Sequence, residues 1–379
     1  MNAPILPGAE LGVFGGGQLG RMFAQAAARL GYRVAVFAPQ GDTPAGRIAD
    51  REVAAPYDDL ESVERFAREV DVVTFEFENI PSATVEAAAK HVPVRPAGSL
   101  LHTTQNRARE KAALVKNGLP VAPHMLLESI DDVAAAAETV GFPSVLKTAA
   151  WGYDGHGQRR VANVAELEAA YRELGAGEQV LEAWIPFDFE ISVVGARGVD
   201  GKVRLYEPVL NRHENHILDV TICPAPLSNE VRESALEIAR TVLEGFDVVG
   251  VLCVELFVLS NGELMVNELA PRPHNSGHIT IDAHDTCQFE QQVRTICGLP
   301  LGSTERIVPA AAMANLLGNL WDGGEPNWAA ALENPGTHLH LYGKTGPVPG
   351  RKMGHLTVTG ELADEVEQRI RGARADLTN

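Results

Sequence analysis

Cysteine is scarce in this chain. The four present, Cys223, Cys253, Cys287 and Cys297, form no C-x-x-C pair, so the spacing signals neither a zinc motif nor a disulfide framework. Reduced thiols are expected. Basic residues are also few: 32 Lys and Arg stand against 50 Asp and Glu, a net charge of −18. That balance argues against nucleic acid or an anionic membrane as a partner, because both are themselves negative. It leaves room for a local basic pocket. No apolar run approaches the roughly 20 residues of a membrane helix. No basic segment precedes an apolar stretch at the N-terminus, so no signal peptide is expected and the location is expected to be cytoplasmic. Internal repeats and low-complexity tracts are missing too. What is present is an ordinary globular mixture, 45% hydrophobic and 22% charged over 379 residues. Such a length suggests two or three domains with substantial cores.

The chain opens on an α/β pattern. Residues 10–14 run as a strand into Gly15-Gly16-Gly17-Gln18-Leu19-Gly20, a helical pattern covers 21–30, and 33–38 reads as a second strand. A third strand, 71–75, ends at Glu76, Glu78 and Asn79. The first hundred residues therefore predict a parallel α/β domain. A polar helical stretch spans 103–117. A smaller unit follows, with helices at 129–140 and 165–174, strands at 143–148 and 179–183, and a glycine-rich loop at 152–157. Beyond 186 strands dominate (189–195 and 203–206), with helices at 229–244 and 285–297 and a hairpin over 249–270. The last eighty residues mix apolar strands with a turn at 343–351.

The hairpin carries the sharpest signal. Asn261-Gly262 is a strong two-residue turn sequence, because both residues tolerate positive φ. Counting outward from a turn that pairs Ser260 with Glu263, Leu259 faces Leu264, Phe257 faces Val266, and Glu255 faces Glu268. Opposed side chains have Cβ atoms roughly 4.5–5.5 Å apart, and like charges there destabilise the pair. A divalent cation such as magnesium, held by carboxylates and nucleotide phosphates, would relieve the conflict. An arginine partner or a slipped register would do so as well. Asn267, a neutral oxygen ligand next to Glu268, favours the metal.

Other groups fit a nucleotide. Lys147 closes an apolar strand, at the edge where α/β proteins tend to bind ligands, although a surface lysine reads the same way. The loop Gly152-Tyr153-Asp154-Gly155-His156-Gly157-Gln158 could bring amides close to phosphate oxygens; it is not the G-x-x-x-x-G-K-[ST] loop. Glu182 ends a strand and Glu190 lies in the next. Glu190 could accept hydrogen bonds from ribose hydroxyls, and either acid could simply be exposed. The early G-x-G-x-x-G (Gly15, Gly17, Gly20) resembles a dinucleotide fingerprint, but the second strand ends without its acid, Asp42 being the nearest. Phosphate of a different ligand at this helix N-terminus is the better expectation.

Six motifs together resemble the ATP-grasp family over nearly the whole chain. They are Gly15-Gly-Gly-Gln-Leu-Gly-Arg-Met22, Thr74-Phe-Glu-Phe-Glu-Asn-Ile80, Asn106-Arg-Ala-Arg-Glu-Lys111, the Gly152–Gln158 loop, Asn267-Glu-Leu-Ala-Pro-Arg-Pro-His-Asn-Ser-Gly-His278, and Tyr342-Gly-Lys344 with Arg351-Lys-Met-Gly-His355. The resemblance implies an α/β ATP-grasp fold. A Rossmann-like pre-ATP-grasp domain would occupy 1–102. The two-lobed ATP-binding centre would occupy 103–300, with a small lobe at about 120–183 and a large lobe at about 184–300. A small β-rich subdomain, 301–379, would pack on the large lobe.

For activity, the resemblance implies ATP-dependent carboxylation of aminoimidazole ribonucleotide with bicarbonate, through carboxyphosphate, in purine synthesis. ATP would meet Arg107, Lys147, Gly152, Tyr153, Asp154, Gly155, His156, Gly157, Gln158, Glu182, Ala183, Trp184, Ile185, Glu190, His213, Asn267 and Glu268. Magnesium would sit on Glu255 and Glu268. The ribonucleotide would meet Gly17, Gln18, Leu19, Glu76, Tyr153, Asp154, Asn275, Ser276, Lys344, Arg351 and Lys352. Lys147, Arg272, Asp154 and His156 would lie at the reacting groups. His156 stands where many relatives carry arginine, so a phosphate or bicarbonate contact there would depend on pH. The resemblance also implies a homodimer. The rival readings are a formate-dependent glycinamide ribonucleotide ligase, a biotin-carboxylase-like enzyme, a nicotinamide oxidoreductase and a non-catalytic nucleotide sensor.

Overall fold

The computed structural model describes residues 3–150, 157–175 and 177–378. The described strands form three sheets. The first is parallel: β1 (Glu10–Phe14), β2 (Arg33–Ala38), β3 (Arg51–Ala54) and β4 (Val72–Phe75), in the order β3-β2-β1-β4. All five residues of β1 are buried, as expected for a strand covered on both faces. On one face the helix Gln18–Arg29 buries Met22, Phe23, Ala26 and Ala27. On the other, Phe14, Phe37 and Phe66 pack edge-on and tilted, with centroids 5.4–5.9 Å apart.

The polar stretch 103–117 is not one helix. It breaks into Gly98–Thr104 and Arg107–Lys116. Asn106 lies between them in an extended conformation, and its side chain accepts from the Arg109 amide at 3.1 Å, capping the second helix. The small sheet follows: β5 (His124–Leu127), β6 (Ser144–Thr148), β7 (Gln158–Val161) and β8 (Gln179–Ala183), antiparallel in the order β5-β8-β6-β7. The helices Val133–Val140 and Val164–Leu174 close its core around Leu127, Leu146, Leu167 and Leu181. Strands β3, β5 and β7 have only four residues each, too few to announce themselves by alternation.

The third sheet contains β9 (Phe187–Arg197), β10 (Val203–Leu205), β11 (Val209–Glu214), β12 (Ile217–Cys223), β13 (Gly250–Leu259), β14 (Leu264–Ala270), β15 (Ala310–Leu317), β16 (Thr337–Leu341) and β17 (Lys352–Gly360). Its order is β14-β13-β9-β11-β12-β15-β17-β16, with β10 beside β9. The C-terminal strands thus continue the sheet that starts at the acidic hairpin. The helix Gln288–Cys297 packs against Gln18–Arg29, joining the first domain to this sheet, and Arg29 pairs with Glu290 across that seam. No helix among the described residues is long and apolar enough to cross a membrane.

The hairpin differs from its expected form in two compensating ways. The turn is a three-residue loop, Ser260-Asn261-Gly262, closed by the Leu259 amide on the Glu263 carbonyl, with Gly262 at φ +83°. Near the loop, Leu256 therefore pairs with Val266, Phe257 with Met265 and Val258 with Leu264; the expected Phe257–Val266 and Leu259–Leu264 pairs do not form. A β-bulge then inserts Asn267 and shifts the register by one. Glu255 ends up opposite Glu268 after all. Replacing Gly262 by Ala puts a Cβ into the left-handed region at a cost of about 1–2 kcal/mol. A urea titration should show a lower midpoint with unchanged slope; an unchanged midpoint would contradict the three-residue loop.

Candidate active site

Three cations gather on one carboxylate at the small-lobe edge of the cleft. Lys147 on β6 and Glu182 on β8 are diagonal neighbours on one face, and the Lys147 ammonium donates to Glu182 Oε2 at 3.0 Å. Lys111, on the helix Arg107–Lys116, lies 3.5 Å from the same oxygen. Burial alone would raise the Glu182 carboxyl, but Lys111, Lys147 and Arg107 outweigh it and hold it at about 2. The arrangement is lopsided. Lys147 faces one acid and two other cations, so burial and Arg107 and Lys111 push its pKa down despite Glu182. Glu182 Oε1 is buried without a protein partner. It is no exposed acid: only 4% of the residue is accessible.

The opposite side of the cleft is acidic. Glu268 has Arg107 at 3.4 Å and Glu255 has His274 at 3.0 Å. Burial works against the Glu255 charge; His274, His213 and Arg272 outweigh it and draw its pKa down. Glu190 on β9 pairs in register with Phe257, and His213 lies 3.5 Å from it. Burial raises Glu190 to about 7, with Glu255 and Glu268 adding to the effect. Three acids thus share a patch in which Arg107 and His274 already pair with Glu268 and Glu255. Hard carboxylate oxygens are a donor set that fits magnesium. Asn267 is the bulged residue beside them, and its carbonyl accepts from Lys111 at 3.0 Å.

The other described residues among those expected at ATP lie on or next to β7 and β8. Gln158 on β7 lies opposite Lys147, and the Gly157 carbonyl accepts from the Thr148 amide at 2.8 Å. Gly152, Tyr153, Asp154, Gly155 and His156 lie outside the described residues. The amides of Ala183 and Trp184 are taken by the Pro123 and Pro143 carbonyls, at 2.8 and 3.0 Å. Ile185, half-buried, continues towards β9. The Trp184 ring carries the Arg160 guanidinium 4.2 Å from its centroid.

A second assembly lies where the first domain meets the C-terminal strands. The glycines of the first turn make room for Glu76, not for a phosphate: its carboxylate accepts from the Gly17 amide and, at 2.7 Å, from the Gly20 amide. A Cβ on Gly15 would sit 2.3 Å from Glu76 Cγ. The expectation of a ligand phosphate at this helix N-terminus is therefore corrected, because an internal anion already occupies its amides. Burial raises the Glu76 pKa against those amides, Lys344 and Arg272. Lys344 donates to Gln18 Oε1 and to the Lys352 carbonyl, both at 2.6 Å. Burial, with Arg351 and Lys352 nearby, lowers it to about 8. Leu19 is half-buried beside them. Arg351 is exposed and donates to the Thr345 and Gly346 carbonyls.

Asn275 is 8% exposed, yet neither end of its amide has a protein partner. Ser276 is fully buried; its hydroxyl contacts Ser192 Oγ at 2.7 Å and His274 Nδ1 at 2.8 Å, so it supports His274 from behind. Arg272 links the two assemblies. It pairs with Glu78, and its charge is felt by both Glu76 and Glu255.

Lys111, Glu110 and His274 were not singled out by the sequence, and Glu78 was noted only as the end of a strand. All four lie inside the quoted motifs, and Lys111 is one helical turn beyond Arg107, which is the signal that could have found it.

The Glu182 cluster has a pH signature. Its folded pKa lies below the ordinary carboxylate value, so its stabilisation is complete above about pH 5 and is lost as pH falls towards 2. Glu182→Gln leaves two buried lysines without a counter-charge and should cost about 3 kcal/mol at pH 7. In urea unfolding the gap between wild type and variant should shrink steadily from pH 5 to pH 3. A gap that is constant with pH would contradict the cluster.

Comparison with known proteins agrees with this geometry along the whole chain. Residues 9–105 match a ribonucleotide synthetase preATP-grasp domain, 112–289 an ATP-grasp domain, and 311–369 a phosphoribosylaminoimidazole carboxylase C-terminal domain. An N5-carboxyaminoimidazole ribonucleotide synthase of Bacillus subtilis (strain 168) is 41% identical over 366 residues, covering 97% of this chain and 95% of that one. A bifunctional purine synthesis protein purC/E of Dictyostelium discoideum is 43% identical; the match takes in 93% of this chain and 37% of that longer protein. The crystal structure of an N5-carboxyaminoimidazole synthase from Aspergillus clavatus, in complex with ADP and 5-aminoimidazole ribonucleotide, superposes with a TM-score of 0.87 at 32% identity, covering 97% of this chain and 98% of that one. The chain belongs to the N5-carboxyaminoimidazole ribonucleotide synthase family of ATP-grasp ligases.

Proposed function

We infer that the protein carboxylates 5-aminoimidazole ribonucleotide, using ATP and bicarbonate and yielding the N5-carboxy product, ADP and phosphate. The observation that carries this reading is the adjacency of two unlike sites joined by Arg272. One is a nucleotide cleft with cations on one wall and acids on the other. The other is a half-buried cluster of Lys344, Gln18 and Glu76, and Asn275 offers an unpartnered amide. The relative crystallised with ADP and 5-aminoimidazole ribonucleotide holds one ligand suited to each.

In this mechanism a bicarbonate oxygen attacks the γ-phosphorus of ATP, ADP leaves, and carboxyphosphate forms. The exocyclic amine of the ribonucleotide then bonds to the carboxyl carbon, the carbon–oxygen bond to phosphate breaks, and the amine gives up a proton. The protein's part is to position the reactants and neutralise charge. Lys147 and Arg107 would face the phosphoryl oxygens, with Glu182 holding Lys147 and Glu268 holding Arg107. Gln158, Glu190 and His213 would border the nucleotide. Magnesium, when bound on Glu255 and Glu268, would neutralise phosphate charge that otherwise repels bicarbonate. Lys344, Lys352 and Arg351 would take the ribonucleotide's phosphate, and Gln18, Glu76 and Asn275 its polar edge. Asp154 and His156 are the candidates for carrying the amine proton. A homodimer and a cytoplasmic location belong to the same proposal.

ADP release tests the reading. It should require bicarbonate and 5-aminoimidazole ribonucleotide together and fall to background when either is omitted. Full release with formate and glycinamide ribonucleotide, or with biotin, would overturn it.

A further inference from the structure

Away from the cleft, a second group of metal-type ligands converges. Glu207 lies in the connection between β10 and β11, Cys223 ends β12, and His284 follows the short helix Thr280–Ala283. One ligand atom from each comes within 4.8 Å of the others. We propose that Glu207, Cys223 and His284 bind a borderline-soft divalent transition metal of the Zn2+ type, at a site separate from the one that handles ATP.

The imidazole is the strongest sign. His284 is 4% exposed, and neither ring nitrogen has a protein partner. Buried polar groups are nearly always paired, so a wholly unpartnered ring needs an account. Its plane is fixed by an edge-on contact with Tyr206, 5.2 Å between centroids, and the Tyr206 hydroxyl is anchored on the Thr286 carbonyl at 2.6 Å.

The other two donors complete a mixed nitrogen, oxygen and sulfur set. Cys223 is fully buried and free of any disulfide. On binding, its thiol loses a proton to solvent as the metal–sulfur bond forms, and the single charge of the thiolate, with that of the Glu207 carboxylate, offsets the two of the ion. The Glu207 carboxylate accepts from the Cys223 thiol and, at 2.6 Å on Oε1, from Arg306 Nε, which fixes it. Such an outer hydrogen bond orients a ligating carboxylate. Ligands at roughly 2.0–2.3 Å from one ion lie roughly 3.5 Å apart, so closure from the present spacing takes only side-chain adjustment of about an ångström. Thiolate and imidazole select zinc-like ions over magnesium or calcium.

Glu207 and Arg306 line an open cavity of about 680 Å³, which gives solvent access to the Glu207 side of the site. Bound there, the ion would tie together three segments distant in sequence, which points to a structural role.

Cobalt is the probe that reads the thiolate directly. The full chain, stripped with chelator and held in excess Mg2+ and ATP, is titrated with Co2+. One equivalent should produce a thiolate-to-cobalt charge-transfer band in the near ultraviolet, and Zn2+ should displace it. Cys223→Ser should abolish the band. His284→Ala and the peripheral Glu207→Gln should weaken binding at least tenfold. Absence of the band in the wild-type protein overturns the proposal without reliance on any variant. A band that survives in Cys223→Ser also overturns it, because another cysteine would then be the ligand.

Discussion

Lys111 is 1% exposed, and its ammonium reaches two places at once. It lies 3.5 Å from Glu182 on the small sheet and donates at 3.0 Å to the carbonyl of Asn267, the bulged residue of the hairpin. A buried cation is stable only with partners on hand, so both walls of the cleft must keep their places around it. The same helix fixes more. Glu110, the residue before, accepts from the Leu269 amide at 3.3 Å just past the bulge. Arg107, one turn earlier, reaches Glu268. The ends of the cleft are thus set by consecutive turns of one helix docked on an irregularity in one strand.

Around that anchor the charges are sorted. A chain with a net charge of −18 places Arg107, Lys111 and Lys147 together on one wall, with Glu182 as the acid that holds both lysines. On the other wall stand Glu255, Glu268 and Glu190, where burial, with the two other acids adding to it, raises Glu190 to about 7. Burial also raises Glu110, to about 8, with Glu268 adding to the rise against Lys111 and Arg107. Such a site costs stability while it waits, and on the proposed function would recover it when phosphates meet the cations and a divalent ion meets the acids. That is the behaviour expected of a site shaped for a charged complex rather than for its own stability.

Long elements with clear periodicity were legible: the first α/β unit, the helix over residues 229–245 and the strand that ends at Lys147. So was the opposition of Glu255 and Glu268, although for an incomplete reason. The expected two-residue turn is a three-residue loop, and the bulge at Asn267 cancels the difference, so the right pair came from a wrong count. A bulge leaves no mark in residue pattern because it is set by what docks on it, here Glu110 and Lys111. The glycine turn misled in the other direction. Its spacing suits a phosphate, but the anion it receives is Glu76, about sixty residues away in sequence. Local pattern cannot tell an internal carboxylate from a ligand.

The account stands on the acid pair acting with the nucleotide and not merely bracing the hairpin. Calorimetric titration of ATP into the protein, with and without Mg2+, separates these roles most directly. In the wild-type protein Mg2+ should tighten ATP binding at least tenfold, and in Glu268→Gln that gain should vanish while the fold, followed by circular dichroism, is kept. An equal gain from Mg2+ in both proteins would contradict the account.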